Sequence, residues 1–322
     1  MKAQADPLAT AETHRRRYGR LARREAVEAY LFILPWLIGL VVFTAGPFVG
    51  GLLLGFTDYS ALEPPKWVGL QNYRQLFHDP KFYQSVWNTA YYVFLSVPLN
   101  MLAGLLLAIL LNQKVRGVTF FRTAFYMPAI VPALPSLALF IWILHDRFGL
   151  LNGLLFSLGL PGPHWLTSPQ WAKPSLILWT LWQAGSGMVI YLAGLQGVPQ
   201  ELYEAADIDG AGPMSRFWRV TIPMISPTIF FVLTMGIISS FQVFTAAFLL
   251  GTTYAYNAAG AGPLDSLLFW VIFIYQQGFL FFKLGYASAI AWVLFLVILV
   301  VTLVQMWLAG RWVYYEAEGP NA

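Results

Sequence analysis

The chain has 322 residues, of which 58% are hydrophobic and 11% charged, with a mean hydropathy of +0.62 and a net charge of +4. Soluble domains carry about 25% charged residues, so these values exclude a water-soluble globule, and so apolar a chain does not remain solvated and disordered. There is no cysteine, which removes disulfides, thiolate metal sites, cysteine nucleophiles and iron–sulfur clusters. The excess of Lys and Arg flanks apolar runs and is no nucleic-acid signal.

In chain order, residues 1–28 form a basic segment, expected as solvated chain or a short helix on the cytoplasmic side. Six apolar runs follow at 30–56, 87–111, 120–144, 171–195, 225–250 and 285–308. About 20 such residues cross a hydrocarbon core of about 30 Å, so each run predicts a membrane span, with a tail at 313–322. None contains Asp or Glu; Arg122 stands at the edge of the third, and Lys173 counts with the outside segments. Pro128, Pro132 and Pro135 predict a kinked or interrupted third helix. A seventh run, 266–282, is short and ends in Gln276, Gln277 and Gly278, so it reads as an interfacial or re-entrant helix.

With the N-terminus inside, thirteen Lys and Arg fall in inside segments and six outside. That bias places both termini in the cytoplasm. The first apolar run is longer than the 7–15 residues of a signal-peptide core, so it reads as a signal anchor, and the same length argues against a twin-arginine signal at Arg15–Arg17.

The middle of the membrane carries no carboxylate, and His14, His78, His145 and His164 lie outside or at the ends of spans. Proton-coupled carriers keep ionisable groups there, so that mechanism is disfavoured. Neither paired intramembrane Asp residues nor a metalloprotease helix motif occurs, and the absence of any Gly-Lys pair removes a P-loop. Uphill transport then needs energy from a partner.

The inside loop 196–224 predicts helix, turn, helix. Pro199 suits a first helical position. Glu201 and Glu204 lie near the positive end of that helix, Gly210 suits a left-handed cap, and Pro213 opens a second helix ending before Pro223. Membrane-surface helices are usually basic; an acidic one, with Glu201, Glu204, Asp207 and Asp209, points to a protein partner.

Glu204-Ala205-Ala206, Asp209-Gly210-Ala211, Phe217 and Ile222-Pro223 resemble the EAA signature of ABC importer permeases, departing from it with Ile222 where Leu is common. Stretches 125–142, 239–244 and 285–305 are similar to the binding-protein-dependent carbohydrate branch. Over residues 28–312 the chain resembles the larger permease of maltose-type importers in six-span form. The resemblance implies an all-α integral membrane permease domain over 29–312 with a cytoplasmic coupling helix. It also implies a bacterial or archaeal cytoplasmic membrane and no enzymatic activity in this chain.

Glu204, Ala205, Asp209 and Gly210 would couple to the ATPase. The implied partners are a second, smaller permease, two ATPase subunits that hold the ATP and magnesium, and an extracytoplasmic solute-binding protein meeting the outside loops.

A sugar needs amides and hydroxyls at span midpoints. Ser136, Gln183, Ser186, Ser240, Gln242 and Thr245 are the candidate path residues, on the three spans that the resemblance associates with sugar contacts. The same residue types also join transmembrane helices to one another. Trp142, Trp182 and Tyr191 either stack on a sugar or anchor and pack. The rival readings are a glycerol phosphate permease of the same family, a carrier independent of ATP, and a membrane scaffold without a solute path. The lack of midplane Arg or Lys favours a neutral sugar over a phosphate.

Overall fold

Only three of the apolar runs lie on single helical stretches that pass for spans: Ala22–Leu54, Pro80–Leu111 and Leu284–Ala309. The computed structural model describes residues 7–113, 116–255 and 259–314, and side chains over 22–113, 116–253 and 259–314. The remaining runs form three bent helix pairs, giving up to six spans among the described residues. Of the tail at 313–322, residues 315–322 lie outside this description, as do the first six residues of the basic segment.

The chain divides into two units, Met1–Leu54 and Gly55–Ala322. In the first, helix α1 (Pro7–Leu40) contains Pro35, passes through a π turn at Val41–Ala45 and continues as α2 (Gly46–Leu54). The basic segment is therefore helical from Pro7 onward and runs directly into the first span.

The second unit opens on a hairpin of β1 (Thr57–Asp58) and β2 (Lys66–Trp67), antiparallel with Thr57 opposite Trp67. Helix α3 (Gln71–Leu76) follows, and its Asn72 donates to the carbonyls of Gly55 and Thr57 at 3.0 and 2.9 Å.

Helix α4 (Pro80–Leu111) is capped by Asp79, whose carboxylate accepts from the Lys81 amide at 2.9 Å, with Pro80 where a missing N–H is harmless. One face of α4 is apolar and exposed, with Phe94, Leu102, Leu106 and Leu110 suited to lipid, while Ser85, Asn88, Thr89, Tyr92 and Ser96 are buried. This buried stripe holds the irregular segment ahead of α15 (Trp270–Tyr275). Asn88 Nδ2 donates to the carbonyls of Asp265 (3.0 Å) and Leu268 (3.1 Å), its Oδ1 accepts from Lys173 Nζ (2.8 Å), and Thr89 Oγ1 accepts from the Trp270 amide (3.0 Å). Buried inside the unit, such backbone groups have no water to turn to, so side chains satisfy them.

The third run is α5 (Val118–Ile130) and α6 (Ala133–Ile143), meeting at 100°. The cause is Pro132, which disfavours the helical region for the residue before it: Val131 has ψ 131° and Pro132 ψ 144°, two extended residues in succession. After α7 (Leu150–Ser157), the fourth run is α8 (Pro169–Trp182), with its Ser168 cap, and α9 (Gly185–Gln196), bent by 44° at Gln183 and Ala184.

The fifth run differs from its expected span. Helix α10 (Gln200–Ile208) precedes a stretch formed by α11 (Pro213–Arg216), a π turn at Phe217–Thr221 and α12 (Ile222–Met224). That stretch bends by 65° into α13 (Ser226–Phe241). The second helix of the loop thus runs through Pro223 rather than stopping before it, because the π turn absorbs the register change and Pro223 sits in a new first turn. Helix α13 ends at Phe241: the amides of Gln242 and Val243 turn back to carbonyls three residues earlier, Ser239 and Ser240, and α14 (Thr245–Ala255) starts afresh.

The seventh run is largely buried within the second unit. Helix α15 and the π turn Gln276–Leu280 lie inside the unit, with Phe269, Ile272 and Phe273 fully buried, packed on α4 and on α16 (Leu284–Ala309). Its front half is apolar on every side, so no single face is fitted to water or headgroups. The Phe82 and Trp270 rings meet edge to face at 5.3 Å, as do Tyr92 and Phe269 at 5.4 Å.

Helix α9 approaches α5 backbone to backbone at Gly185, where a Cβ would stand 2.1 Å from the Phe125 carbonyl oxygen. Gly185→Ala is therefore expected to destabilise the folded protein by about 1–3 kcal/mol through overpacking, read as a lower melting temperature in detergent. Gly153→Ala, where nothing lies within 4 Å, should leave the melting temperature unchanged or raise it.

Candidate functional site

Two regions carry the candidate residues. The first surrounds the breaks in the membrane helices. Ser136, buried on α6, and Gln183, in the break between α8 and α9, are brought together: Gln183 Nε2 lies 3.5 Å from Ser136 Oγ. Ser186 donates to the Gln183 carbonyl at 3.3 Å and is exposed. Ser136 and Trp182 help line a cavity of about 340 Å³ in the bend of α5 and α6, otherwise walled by Ala124, Met127, Pro128, Val131, Pro135 and Leu139. The Trp182 ring stacks on Phe140 at 5.8 Å. The cavity is thus walled by apolar side chains and one aromatic ring, with the Ser136 hydroxyl, bonded to the Gln183 amide, as its polar group.

Ser240 closes α13, Gln242 lies in the next break, and Thr245 starts α14. Gln242 and Thr245 are exposed, and neither side chain has a hydrogen-bond partner among the described residues. No hydrogen bond joins them to Ser136 or Gln183. Tyr191 is 1% exposed and packs with Met188 and Ala108, while Trp142 is half exposed. The anchoring and packing readings therefore fit these two aromatics better than stacking on a ligand.

Sequence reasoning missed Asn100 and Thr180. Asn100 Nδ2 donates to the Thr180 carbonyl at 2.8 Å, and the Tyr92 hydroxyl meets Thr180 Oγ1 at 2.8 Å, three residues before Gln183. The available signal was an amide at the middle of a span, where Asn88 stands at its start.

The second region is the loop of α10 and α11. Pro199 occupies the cap position, one residue earlier than expected, and α10 ends at Ile208. Gly210 has φ +72°, with Gly210 N–H bonded to the Asp207 carbonyl (3.1 Å) and Ala211 N–H to the Ala206 carbonyl (2.9 Å). These two bonds make a Schellman ending, which requires a left-handed residue at that place. Arg216 pairs with Asp207 across the turn, and the Tyr203 hydroxyl meets Thr221 Oγ1 at 3.0 Å, so the two helices are tied at both ends.

Glu204, Ala205, Asp209 and Gly210 all lie on the exposed surface of this loop. They are accompanied by apolar side chains that point outward: Ile208 is 88% exposed, Met214 69% and Trp218 61%. Carboxylates beside large exposed apolar groups are the features of a docking face rather than a catalytic centre. Among the described residues no group of three or more His, Asp or Glu is placed to hold a metal.

Residues 100–314 match the model of the family described as binding-protein-dependent transport system inner membrane component. The chain is 37% identical over 301 residues to the probable ABC transporter permease protein YesP of Bacillus subtilis, covering 93% of this chain and 96% of that one. It is 35% identical to the arabinooligosaccharides transport system permease protein AraP of the same organism, over 90% of both chains. A solved bacterial ABC transporter involved in import of the acidic polysaccharide alginate contains a chain similar to this one at 26% identity. Its TM-score is 0.79, with 92% of this chain and 99% of that chain covered.

The left-handed turn gives a direct test of the loop. Gly210→Val places a β-branched residue at φ +72° and should cost about 1–2 kcal/mol locally. Limited proteolysis should then cut around residues 208–214 faster than in the parent, with the melting of the membrane core unchanged. Gly212→Ala, at φ −66° with nothing within 4 Å, should cut at the parental rate.

Proposed function

The chain belongs to the family of binding-protein-dependent transport system inner membrane components, and we propose that it is the permease subunit forming half of the translocation path of an ATP-driven carbohydrate importer. It is a multi-pass membrane protein. Both termini and the loop of α10 and α11 face the cytoplasm, in keeping with the excess of Lys and Arg in the segments placed there. A second permease completes the path, and two ATPase subunits bind ATP and magnesium. A soluble protein delivers the sugar from the other side.

The observation that carries this reading is the loop. A short acidic helix, stopped by a left-handed glycine and tied back by Arg216 and Tyr203, presents Glu204 and Ile208 outward as a rigid pair. Rigid seating of such a helix lets closure of two ATPase subunits tilt the bundle, and with it the breaks that line the path. Glu204, Ala205, Asp209 and Gly210 are assigned to that contact. Ser136, Gln183, Ser186, Ser240, Gln242 and Thr245 are assigned to the solute path.

The walls support a substrate class. The cavity at the α5–α6 bend has no cation among its lining residues. Arg122 is engaged with the Leu111 carbonyl at 2.8 Å and Lys173 with Asn88. An uncharged sugar suits such walls better than an acidic one, and the glycerol phosphate reading is set aside for the same reason. The similarity to a permease named for arabinooligosaccharides supports an oligosaccharide.

The test is purification through this chain from the membranes of its native host. The parent should bring down an ATPase and a second permease. Glu204→Arg should reduce ATPase recovery about tenfold or more, the loss expected when a charge at an interface is reversed, and leave the second permease bound. In vesicles, uptake of arabino-oligosaccharides should require ATP and the binding protein and exceed uptake of alginate oligosaccharides. Purification of the parent alone, with uptake independent of ATP, would overturn the proposal.

A further inference from the structure

The break between α8 and α9 is held from α4, and the residue that holds it lies outside the cavity. In an uninterrupted helix the Thr180 carbonyl accepts from the amide four residues on, Ala184. Here the Gln183 amide takes the Thr180 carbonyl at 3.1 Å and the Ala184 amide takes Leu181 at 3.0 Å. Both bonds close over three residues and tighten the turn. The Thr180 carbonyl, pulled out of the ladder, takes its further bond from Asn100 Nδ2 at 2.8 Å. Thr180 is also held through its side chain, by the Tyr92 hydroxyl at 2.8 Å and by its own donation to the Leu176 carbonyl at 3.0 Å.

Asn100 and Tyr92 lie two turns apart on α4 and grip one residue of α8. Three residues later, Gln183 points its amide at Ser136, and its carbonyl accepts from Ser186. An amide in the apolar half of a membrane helix is costly unless its donor is used. The use made of this one is to fix a bend.

We propose that Asn100 is a positioning residue for solute transfer: by capping the Thr180 carbonyl from α4 it stabilises the 44° break of α8 and α9 and so aims the Gln183 side chain at Ser136 and the cavity. This inference rests on the reading of Gln183 as a path residue. If Asn100 is replaced by an apolar residue, the Thr180 carbonyl keeps only the Gln183 amide at 3.1 Å, and the Ala184 amide, which closes the regular ladder, is the nearest replacement for the lost second donor. The ladder then closes, the bend straightens and Gln183 rotates away from α6.

The absence of cysteine from the chain makes the geometry measurable. Ser136→Cys with Gln183→Cys forms the reporting pair, bridged by a short bis-methanethiosulfonate reagent in the assembled importer. Lys81→Cys with Asp265→Cys, whose parent side chains lie 3.4 Å apart at the far end of α4, forms the control pair. Asn100→Leu should lower bridging of the reporting pair by about five- to tenfold, the population change expected from one lost buried hydrogen bond, and leave the control pair unchanged. Asn100→Asp, which keeps the shape without the donor, should behave as Leu does, and Asn100→Gln, which keeps a donor, should retain bridging.

Uptake of arabino-oligosaccharides supplies the second readout. Asn100→Leu should lower it in the parent background and add nothing to Gln183→Leu, because one residue acts through the other. Unchanged bridging in Asn100→Leu, an equal fall in the control pair, or additive losses in uptake would overturn the inference. Full uptake by Gln183→Leu, with bridging still dependent on Asn100, would overturn the path reading of Gln183 and leave the geometric claim standing.

Discussion

A backbone amide or carbonyl in hydrocarbon has no water to bond, and each one left free costs several kcal/mol. Every departure from straight helix in this protein has to answer that constraint. Breaks occur at 131–132, 183–184 and 242–244, and a non-helical stretch leads into the buried helix at Trp270–Tyr275. Two remedies recur. The ends of helices tighten into three-residue bonds, as at Gln183, Ala184, Gln242 and Val243. Where that is insufficient, α4 supplies side chains: Asn88 and Thr89 for the stretch before Trp270, and Asn100 with Tyr92 for the break at Gln183. The long helix is thus a spine with two faces, one apolar and outward and one polar and inward, and the broken elements attach to the inward face.

The same constraint makes the breaks suitable for function. Continuous transmembrane helices present only side chains; interrupted ones place amides, hydroxyls and backbone groups at membrane depth, and these are tolerated where they line a cavity. Ser136 and Trp182 line such a cavity, with Gln183 bonded to Ser136 and no ionised group in its lining, and the proposed polyhydroxyl solute rests on that. In the proposed importer the energy arrives from elsewhere, and the loop of α10 and α11 is assigned to receive it because it is short, acidic, tied at both ends and apolar at its tip.

Much of this was legible in the residues. Apolar runs of sufficient length marked the spans, three prolines within eight residues marked the interruption near Val131, and Glu204-Ala205-Ala206 with Asp209-Gly210-Ala211 marked both loop and family. What escaped was tertiary. A run such as 225–250 is apolar whether it is one helix or two, so hydropathy is blind to the break after Phe241. The run 266–282 was short enough to suggest an interfacial or re-entrant helix, but that its side chains fill the core only packing reveals. The importance of Asn100 depends on a carbonyl 80 residues away, a relation no local pattern encodes. Ser240, Gln242 and Thr245 were chosen by chemistry alone, and nothing in this chain's own hydrogen bonding ties them to Gln183.

The claim on which the account depends is that the break after Trp182 is a fixed, water-facing joint in the assembled importer. Single cysteines placed in turn from 178 to 188 of this cysteine-free chain, with labelling by a charged methanethiosulfonate reagent in vesicles, test it most directly. The account predicts fast labelling at 183 and 186, slow labelling at the buried positions 184, 185, 187 and 188, and a change in rate at 183 when ATP is added. Labelling that follows an unbroken helical period through 183, indifferent to ATP, would contradict it.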